Sequence, residues 1–218
     1  MSSSLRIDLH VHTFYSDDAM TSPREAVLWA KKAGLHGLAI TDHDTLKGAL
    51  RAREIGRREG ILILPGMELE SRGGHILALC PLEPVRPGDS LAETVEVVRE
   101  AGGLAVLAHP YHLLAPRAWS LEGLRALDAV EVLNASDPLA VLSTRLARRL
   151  AKALGKPETG GSDAHFPEAI GAAYTAVEAN PDPDEVLSAI EKGLTRPCGK
   201  ALNPMVVLKK WAIPNYLR

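Results

Sequence analysis

The sequence predicts an α/β fold in which helices cover a parallel sheet. Strand-like apolar segments alternate with helical segments along the chain, an order that is typical of parallel sheets. Several strand candidates are continuous apolar runs, as expected where both faces of a strand are buried. The eight predicted strands span residues 6–12, 37–41, 61–64, 75–79, 104–109, 129–133, 158–160 and 173–177.

The helices between these strands begin and end at recognisable sequence signals. A serine three residues before a glutamate forms a capping box, and this pair occurs at Ser22 and again at Ser90. Pro23 then occupies the first helical position, where a missing N–H costs nothing. Two further helices are predicted over residues 138–154 and 183–192, each followed by a glycine that can end it.

Length and composition fit one ordinary globular domain. The chain has 218 residues, of which 46% are hydrophobic and 24% charged, so wholesale disorder is excluded. We expect a single domain over residues 1–218, with a core over residues 6–195. The tail over residues 200–218 is expected to pack on the body of the protein or on a partner, and its sequence does not choose between them.

Charge and cysteine content exclude several classes of protein. The net charge of −2 argues against binding of long nucleic acids by bulk charge. Cys80 and Cys198 are the two cysteines, too few for a disulfide framework or a thiolate zinc finger. The sequence shows neither a secretory leader nor an apolar stretch that could span a membrane, so we expect a cytoplasmic protein without a membrane partner.

Five of the eight histidines and three carboxylates lie at the carboxyl ends of predicted strands. His10 and His12 are two residues apart on one strand, so their side chains project to the same side. In an α/β barrel the carboxyl ends of the strands share one face, where functional sites are built. We therefore expect eight side chains to converge there: His10, His12, Asp17, His43, Glu68, His109, Asp163 and His165.

This set of imidazoles and carboxylates suits divalent metal ions. Buried together without a cation, the carboxylates would be costly. Ligands of these types without thiolates favour zinc, manganese or iron and do not choose among the three. Eight groups are too many for one ion, so we expect two or three. A single buried histidine is more often a hydrogen-bonded core residue, but five separate strand ends are poorly explained in that way.

The same residues, taken in order, resemble the polymerase-and-histidinol-phosphatase (PHP) family. The resemblance implies a single PHP domain folded as a distorted (β/α)7 TIM-like barrel, shorter than the usual eight-unit barrel. It also implies metal-dependent hydrolysis of phosphoesters. The matching segments are His10-Val11-His12-Thr13, Ser16-Asp17, Thr41-Asp42-His43-Asp44, Pro65-Gly66-Met67-Glu68, His109-Pro110 and Gly161-Ser162-Asp163-Ala164-His165.

The resemblance also implies how the ligands are shared among the ions. One ion would take His10, His12, Glu68 and Asp163, and a second would take Asp17, His43 and His165. Glu68 would bridge towards a third ion held partly by His109. This chain has Asn134 where some members carry a His or Cys ligand, which puts the third ion in doubt and favours a small substrate.

Roles outside the ligand set are assigned from position. Asp163 is expected to orient the attacking water or to take its proton, and His112 is a candidate proton donor to the leaving oxygen. His75 and Asn134 are possible metal or substrate contacts, and His75 could equally be a core residue. We expect His36 at the surface, at the opposite end of the barrel. Two loop arginines, Arg72 and Arg117, could reach a substrate phosphate, although each is more often a solvated charge.

We expect a hydrolase of ester bonds, in which a metal-activated hydroxide attacks a small phosphorylated substrate. Candidate substrates are a nucleotide, a 3′,5′-bisphosphate or a similar phosphomonoester. Three alternatives stay open: a nuclease acting on short nucleic acids, a histidinol-phosphate phosphatase, and a non-catalytic PHP binding module. The sequence leaves the oligomeric state undetermined.

Overall fold

The computed structural model describes residues 4–112 and 118–203, and one sheet of nine strands organises them. The strands are β1 (Ser4–Val11), β2 (Gly37–Ile40), β3 (Leu62–Ser71), β4 (Gly74–Leu79), β5 (Leu104–Leu107), β6 (Ala129–Asn134), β7 (Glu158–Gly161), β8 (Ala173–Glu178) and β9 (Thr195–Gly199). The helices are α1 (Pro23–Lys32), α2 (Lys47–Glu59), α3 (Leu91–Glu100), α4 (Leu121–Ala126), α5 (Ala140–Leu154) and α6 (Pro183–Glu191). A short 3-10 helix spans Pro167–Ala169.

The sheet curls into a nearly closed barrel. Its strand order is β7-β6-β5-β4-β3-β2-β1-β8-β9, and the first strand of this order comes back against β1. Val11 forms an isolated parallel bridge with Ala164, just after β7, and the Asp163 N–H donates to the His10 carbonyl at 2.8 Å. The predicted distorted, TIM-like barrel is therefore confirmed.

Strand direction departs from the wholly parallel sheet that the alternation of elements predicts. The strands β1, β2 and β3 pair in parallel, as do β5, β6 and β7. Between these groups β4 is antiparallel to both neighbours, and β8 and β9 also pair antiparallel. The reversal at β4 follows from the hairpin that joins β3 to β4, because no crossover helix between them returns the chain to the start of the sheet.

The strand predicted over residues 61–64 continues through Pro65-Gly66 as β3, so Glu68 is a strand residue and not a loop residue. Gly66 is needed there for a close approach. A Cβ at this position would come within 3.0 Å of the Thr41 side chain and 3.1 Å of the Ala78 carbonyl oxygen. The strand therefore continues, and it carries Glu68 into the barrel mouth.

The helix signals in the sequence are confirmed. Both capping boxes form, with the Ser22 and Ser90 side chains each accepting the backbone N–H three residues later. The helix predicted from residue 138 begins at Ala140, and Gly155 ends it with φ 63°. Among the described residues, every helix is too short or too polar to cross a lipid bilayer.

Apolar side chains fill the space between the helices and the sheet, whereas the carboxyl end of the barrel is polar inside. Leu38, Ile40 and Ile63 pack with α1 and α2 on one side. The barrel mouth instead contains fully or almost fully buried charged groups, among them Asp8, His10, His12, Glu68 and Glu131. These groups define the candidate site.

Candidate metal centre

The centre of the site is the carboxylate of Glu68, which is 2% exposed. Its Oε2 atom lies 3.2 Å from Nε2 of both His10 and His12, and 3.6 Å from Nδ1 of His43. These imidazoles come from the ends of β1 and β2, so the predicted convergence of strand ends is observed. Nδ1 of His43 is buried and has no hydrogen-bond partner, which leaves a nitrogen ligand available beside Glu68.

The second oxygen of Glu68 faces two other histidines. Its Oε1 atom lies 3.0 Å from Nε2 of His109 and 2.9 Å from Nδ1 of His75. His75 is the register partner of Glu70 on the antiparallel hairpin, which brings it back over the site. The structure thus places His75 against Glu68 and not in the apolar core. Glu68 has oxygens in two groups of ligands, as expected of a bridging carboxylate.

Asp163 and His165 complete the opposite wall. Oδ1 of Asp163 lies 3.6 Å from His10 Nε2, 3.5 Å from His12 Nε2 and 3.4 Å from His165 Nδ1. The candidate ligand atoms fall into three overlapping groups, each within 4.8 Å: His10, His12 and Asp163; His10, Glu68 and His109; His12, His43 and His165.

The loop after β1 brings Asp18, and not the predicted Asp17, against these histidines. Oδ2 of Asp18 lies 2.9 Å from His165 Nε2, and its Oδ1 lies 3.7 Å from His43 Nε2. Asp17 is exposed, and it lines a cavity that Asp18 and His43 also line. Two consecutive aspartates offer the same chemistry, and only the path of the loop decides which carboxylate points inward.

Hydrogen bonds fix which nitrogen of His10 and His12 carries the proton. Nδ1 of His10 lies 3.1 Å from a Glu131 oxygen, and an ionised carboxylate can only accept. Nδ1 of His12 lies 3.1 Å from Ser16 Oγ, whose own hydrogen goes to Asp42 Oδ1 at 3.0 Å. Both Nδ1 atoms must therefore donate.

The Nε2 atoms of His10 and His12 then present lone pairs to each other at 3.1 Å. Two lone pairs at this distance repel unless a cation lies between or beside them. The donor set, with the unpartnered His43 Nδ1, therefore fits divalent metal ions, which bind neutral imidazole together with carboxylate. Zinc, manganese and iron all suit these ligand types.

The pKa values of the buried histidines and of Glu68 also show that the site favours positive charge. Burial opposes a charged His10, yet Glu131, Glu68 and Asp163 raise its pKa well above the usual value. Burial likewise opposes ionisation of Glu68, but the surrounding histidines hold its pKa well below the usual value. For His43, contacts with Asp18 and Glu68 outweigh burial and raise the pKa to about 9. Without a metal ion these histidines therefore hold protons beside the carboxylates, and a bound metal ion would displace those protons and take up the lone pairs.

Two candidate ligands lie in strained backbone. His109 has φ 25° and Asp163 has φ 52°, in the left-handed region that residues with a side chain rarely adopt. Such conformations cost about 1–3 kcal/mol each and cluster at functional sites. The surrounding hydrogen bonds hold both residues there: the Glu131 carboxylate accepts the His109 N–H at 2.9 Å, and the His10 carbonyl accepts the Asp163 N–H.

The remaining predicted residues divide between the site and the surface. The ring of half-buried His112 lies 5.6 Å from that of His109, at the site. Asn134 is buried, and its Nδ2 donates to Glu131 while its Oδ1 accepts the Ser136 N–H. Arg72 is exposed at the turn between β3 and β4. Arg117 and the tail from residue 204 lie outside the described residues.

An acid-lined cavity of about 490 Å³ opens beside His43. Among the residues that the structure describes, its lining includes four carboxylates and neither lysine nor arginine. The lining residues are Tyr15, Ser16, Asp17, Asp18, His43, Asp44 and Glu70. A larger cavity of about 870 Å³ lies at the amino end of the barrel beside His36 and holds none of the candidate ligands. Of these two cavities, the smaller one reaches a candidate ligand, and it is called the access cavity.

Sequence reasoning missed two buried acids that bond to a ligand or to the residues next to one. Glu131 bonds to His10, and Asp42 accepts from Ser16 and from both the N–H and the hydroxyl of Thr13. A usable signal was present for Glu131, because a carboxylate inside the apolar strand Ala129–Asn134 needs a buried partner.

Comparison with known proteins identifies the family. The profile described as "PHP domain" matches residues 8–123, more than half of the chain. The chain belongs to the PHP family. The profile described as "PHP-associated" matches residues 142–195. The order of motifs that resembled this family is thereby confirmed.

Several relatives are similar to parts of the chain. An uncharacterized protein of Methanocaldococcus jannaschii is 35% identical over 145 residues, 60% of this chain and 82% of its own length. A 3′,5′-nucleoside bisphosphate phosphatase of Chromobacterium violaceum is 37% identical over 43% of this chain and 33% of its own length. A phosphoribosyl 1,2-cyclic phosphate 1,2-diphosphodiesterase of Eggerthella lenta is 38% identical over 33% of this chain. The chain spans 29% of that diphosphodiesterase.

A solved structure supports the fold over nearly the whole chain. A two-domain protein of Bacteroides vulgatus, described as containing a predicted PHP-like metal-dependent phosphoesterase, superposes with a TM-score of 0.76 at 19% identity. The match covers 96% of this chain and 69% of that protein. The PHP assignment and the phosphatase and phosphodiesterase relatives agree with the predicted hydrolase of ester bonds.

Proposed function

We propose that this PHP chain is a metal-dependent phosphoesterase that hydrolyses a small phosphorylated molecule. The facing lone pairs of His10 and His12 carry the proposal, because they create a site that requires a cation next to Glu68 and Asp163. Two or three ions of manganese, zinc or iron would be held there.

The ligands divide by position. His10, His12, Glu68 and Asp163 would hold one ion. His43 and His165, with Asp18 or Asp17, would hold a second, and Glu68 with His109 would contribute to a third. Bound ions would supply a water of lowered pKa and positive charge to offset that of the phosphoryl group.

The chain's own residues would orient and move protons. Oδ1 of Asp163 lies among the ligand nitrogens of both β1 histidines, within reach of a water bound in the centre, which it can orient or deprotonate. His112 lies beside His109 at the edge of the site, where it can hold a proton for the leaving oxygen. Burial of Glu68 and His10 keeps competing water out of the floor of the site.

The access cavity favours a small substrate. Its acidic rim and the net charge of −2 repel a polyanion, whose binding depends on many phosphate contacts from lysine and arginine. A nucleotide, a 3′,5′-bisphosphate or a similar phosphomonoester needs only the metal centre to attract its phosphate.

Hydrolysis by purified protein loaded with Mn²⁺, Zn²⁺ or Fe²⁺ tests the proposal, with phosphate release as the readout for monoesters and bisphosphates and chromatography of the products for diesters and the oligonucleotide. The panel should contain phosphomonoesters, 3′,5′-bisphosphates, diesters and a single-stranded oligonucleotide. We expect at least two ions per chain and turnover of a small phosphoester, abolished in His12→Ala and retained in the matched control His36→Ala. Absence of bound metal, or equal turnover in both variants, would show the proposal to be wrong.

A further inference from the structure

Glu131 is a buried carboxylate that the proposed reaction does not use. It lies on β6, is 1% exposed and accepts three hydrogen bonds. Oε1 takes the proton of His10 Nδ1 at 3.1 Å, and Oε2 takes the His109 N–H at 2.9 Å and an Asn134 Nδ2 hydrogen at 3.1 Å. It bonds to the side of His10 opposite Nε2, the atom that faces His12 and Glu68.

We propose that Glu131 is the positioning residue of the metal centre. It holds the proton of His10 on Nδ1, which keeps the Nε2 lone pair directed at the ion. It also anchors the strained backbone of His109 at φ 25°. One carboxylate on β6 thereby orients ligands from β1 and from the segment after β5. The inference rests on the metal centre of the proposed function.

A chain of hydrogen bonds connects Glu131 to a third candidate ligand, Asp163. Asn134 links Glu131 to the Ser136 N–H, and the Ser136 hydroxyl lies 3.0 Å from the Ser162 carbonyl oxygen and 2.9 Å from that of Asp163. Asp163 is the other candidate ligand with positive φ. The amide of Asn134 is thus engaged on both atoms, which suits a structural link between Glu131 and Asp163 better than the metal contact considered from the sequence.

The three donors require a hydrogen-bond acceptor at both oxygen positions of residue 131. A glutamine at this position would offer one oxygen and an NH₂ group in place of two oxygens. If its oxygen faced His10, the NH₂ group would oppose the His109 N–H and the Asn134 donor. If the oxygen faced these two donors, the NH₂ group would drive the His10 proton to Nε2. Either arrangement weakens the metal centre without changing a ligand.

Glu131→Gln tests the inference, with Glu158→Gln as the matched control. Glu158 is on the neighbouring strand β7, 34% exposed, and pairs with Arg148. Zinc affinity is measured by competition with a chelator, and the Nδ1–H of His10 by ¹⁵N NMR of imidazole-labelled, zinc-bound protein. We expect zinc to bind about 10–100-fold more weakly in Glu131→Gln, and unchanged in the control. The Nδ1–H signal of His10 should also weaken.

Conservative variants separate positioning from folding. Glu131→Asp keeps an ionised acceptor and should recover part of the lost affinity. If Glu131→Gln does not fold, Asn134→Ala, which removes one donor and leaves the carboxylate, should weaken zinc binding in the same direction. Zinc binding and His10 tautomer equal to wild type in the folded Gln variant would overturn the inference alone. A wild-type protein that binds none of zinc, manganese and iron would overturn the proposed function together with it.

Discussion

Ser16→Ala removes the hydroxyl that orients two metal ligands at once. Ser16 is 2% exposed, and its Oγ accepts His12 Nδ1–H at 3.1 Å and the His43 N–H at 3.1 Å. It donates in turn to Asp42. The substitution therefore leaves two buried donors without an acceptor and frees the proton of His12 to move to Nε2.

The magnitude follows from these lost bonds. Each unsatisfied buried donor costs about 1–3 kcal/mol, and water entering from the adjacent cavity can relieve part of this, so we expect a loss of about 2 kcal/mol. Ser22→Ala is the matched control, because it removes the N-cap of α1, a side chain that bonds to the Glu25 N–H, at a cost of about 1 kcal/mol. In a chain of this size, the loss in Ser16→Ala should lower Tm by about 4–8 °C. The smaller loss in Ser22→Ala should lower it by about 2–4 °C.

Two assays on the same variants separate orientation from stability. Thermal unfolding of metal-free protein gives the stability loss, and chelator competition gives the zinc affinity. We expect zinc to bind about 10–100-fold more weakly in Ser16→Ala, and as in wild type in Ser22→Ala. If both variants bound zinc equally well, hydrogen bonding by Ser16 would not orient His12, and the tautomer argument would fail.

Three further variants test other parts of the structure. In Gly161→Ala the new Cβ would lie 2.5 Å from the Cβ of His10, so zinc titration should show weaker binding and thermal unfolding a lower Tm. Zinc binding equal to wild type would show that residue 161 does not pack against His10 in this way. Burial raises the pKa of the Cys80 thiol to about 12. In the Cys198→Ser variant, where Cys80 is the remaining cysteine, the alkylation rate should therefore still rise about tenfold per pH unit beyond about pH 10. An alkylation rate that levels off below about pH 10 would contradict this. His112→Ala should lower kcat for poor leaving groups while sparing good ones and the metal content; equal effects on both would exclude a proton donor.

Much of the candidate site could be predicted because its signals are local. A histidine pair two residues apart needs only strand geometry to place both rings on one side, and their Nε2 atoms indeed meet at 3.1 Å. Capping boxes at Ser22 and Ser90 likewise depend on four consecutive residues. Such features follow from backbone periodicity, so they can be predicted without knowledge of the tertiary fold.

The features that escaped prediction depend on distant parts of the chain. Pro65-Gly66 has the composition of a turn, but Gly66 permits a close approach to β2 and β4 and the strand runs on. Asp17 and Asp18 are chemically equal, and packing of the loop against His165 selects Asp18. The role of Glu131 becomes visible only when His10, 121 residues earlier in the chain, is placed beside it.

The polar layer beneath the ligands explains why this barrel mouth is not packed with apolar residues. Asp8 lies two residues before His10 on β1 and is fully buried, and burial raises its pKa to about 6 despite bonds from the Ser162 and Gly171 N–H groups. Replacing such buried acids by well-packed apolar side chains often increases stability. In this barrel the replacement would release the backbone next to the ligands, because the Ser162 N–H that bonds to Asp8 immediately precedes Asp163. The acids are therefore better explained by the orientation of the metal centre than by the stability of the fold.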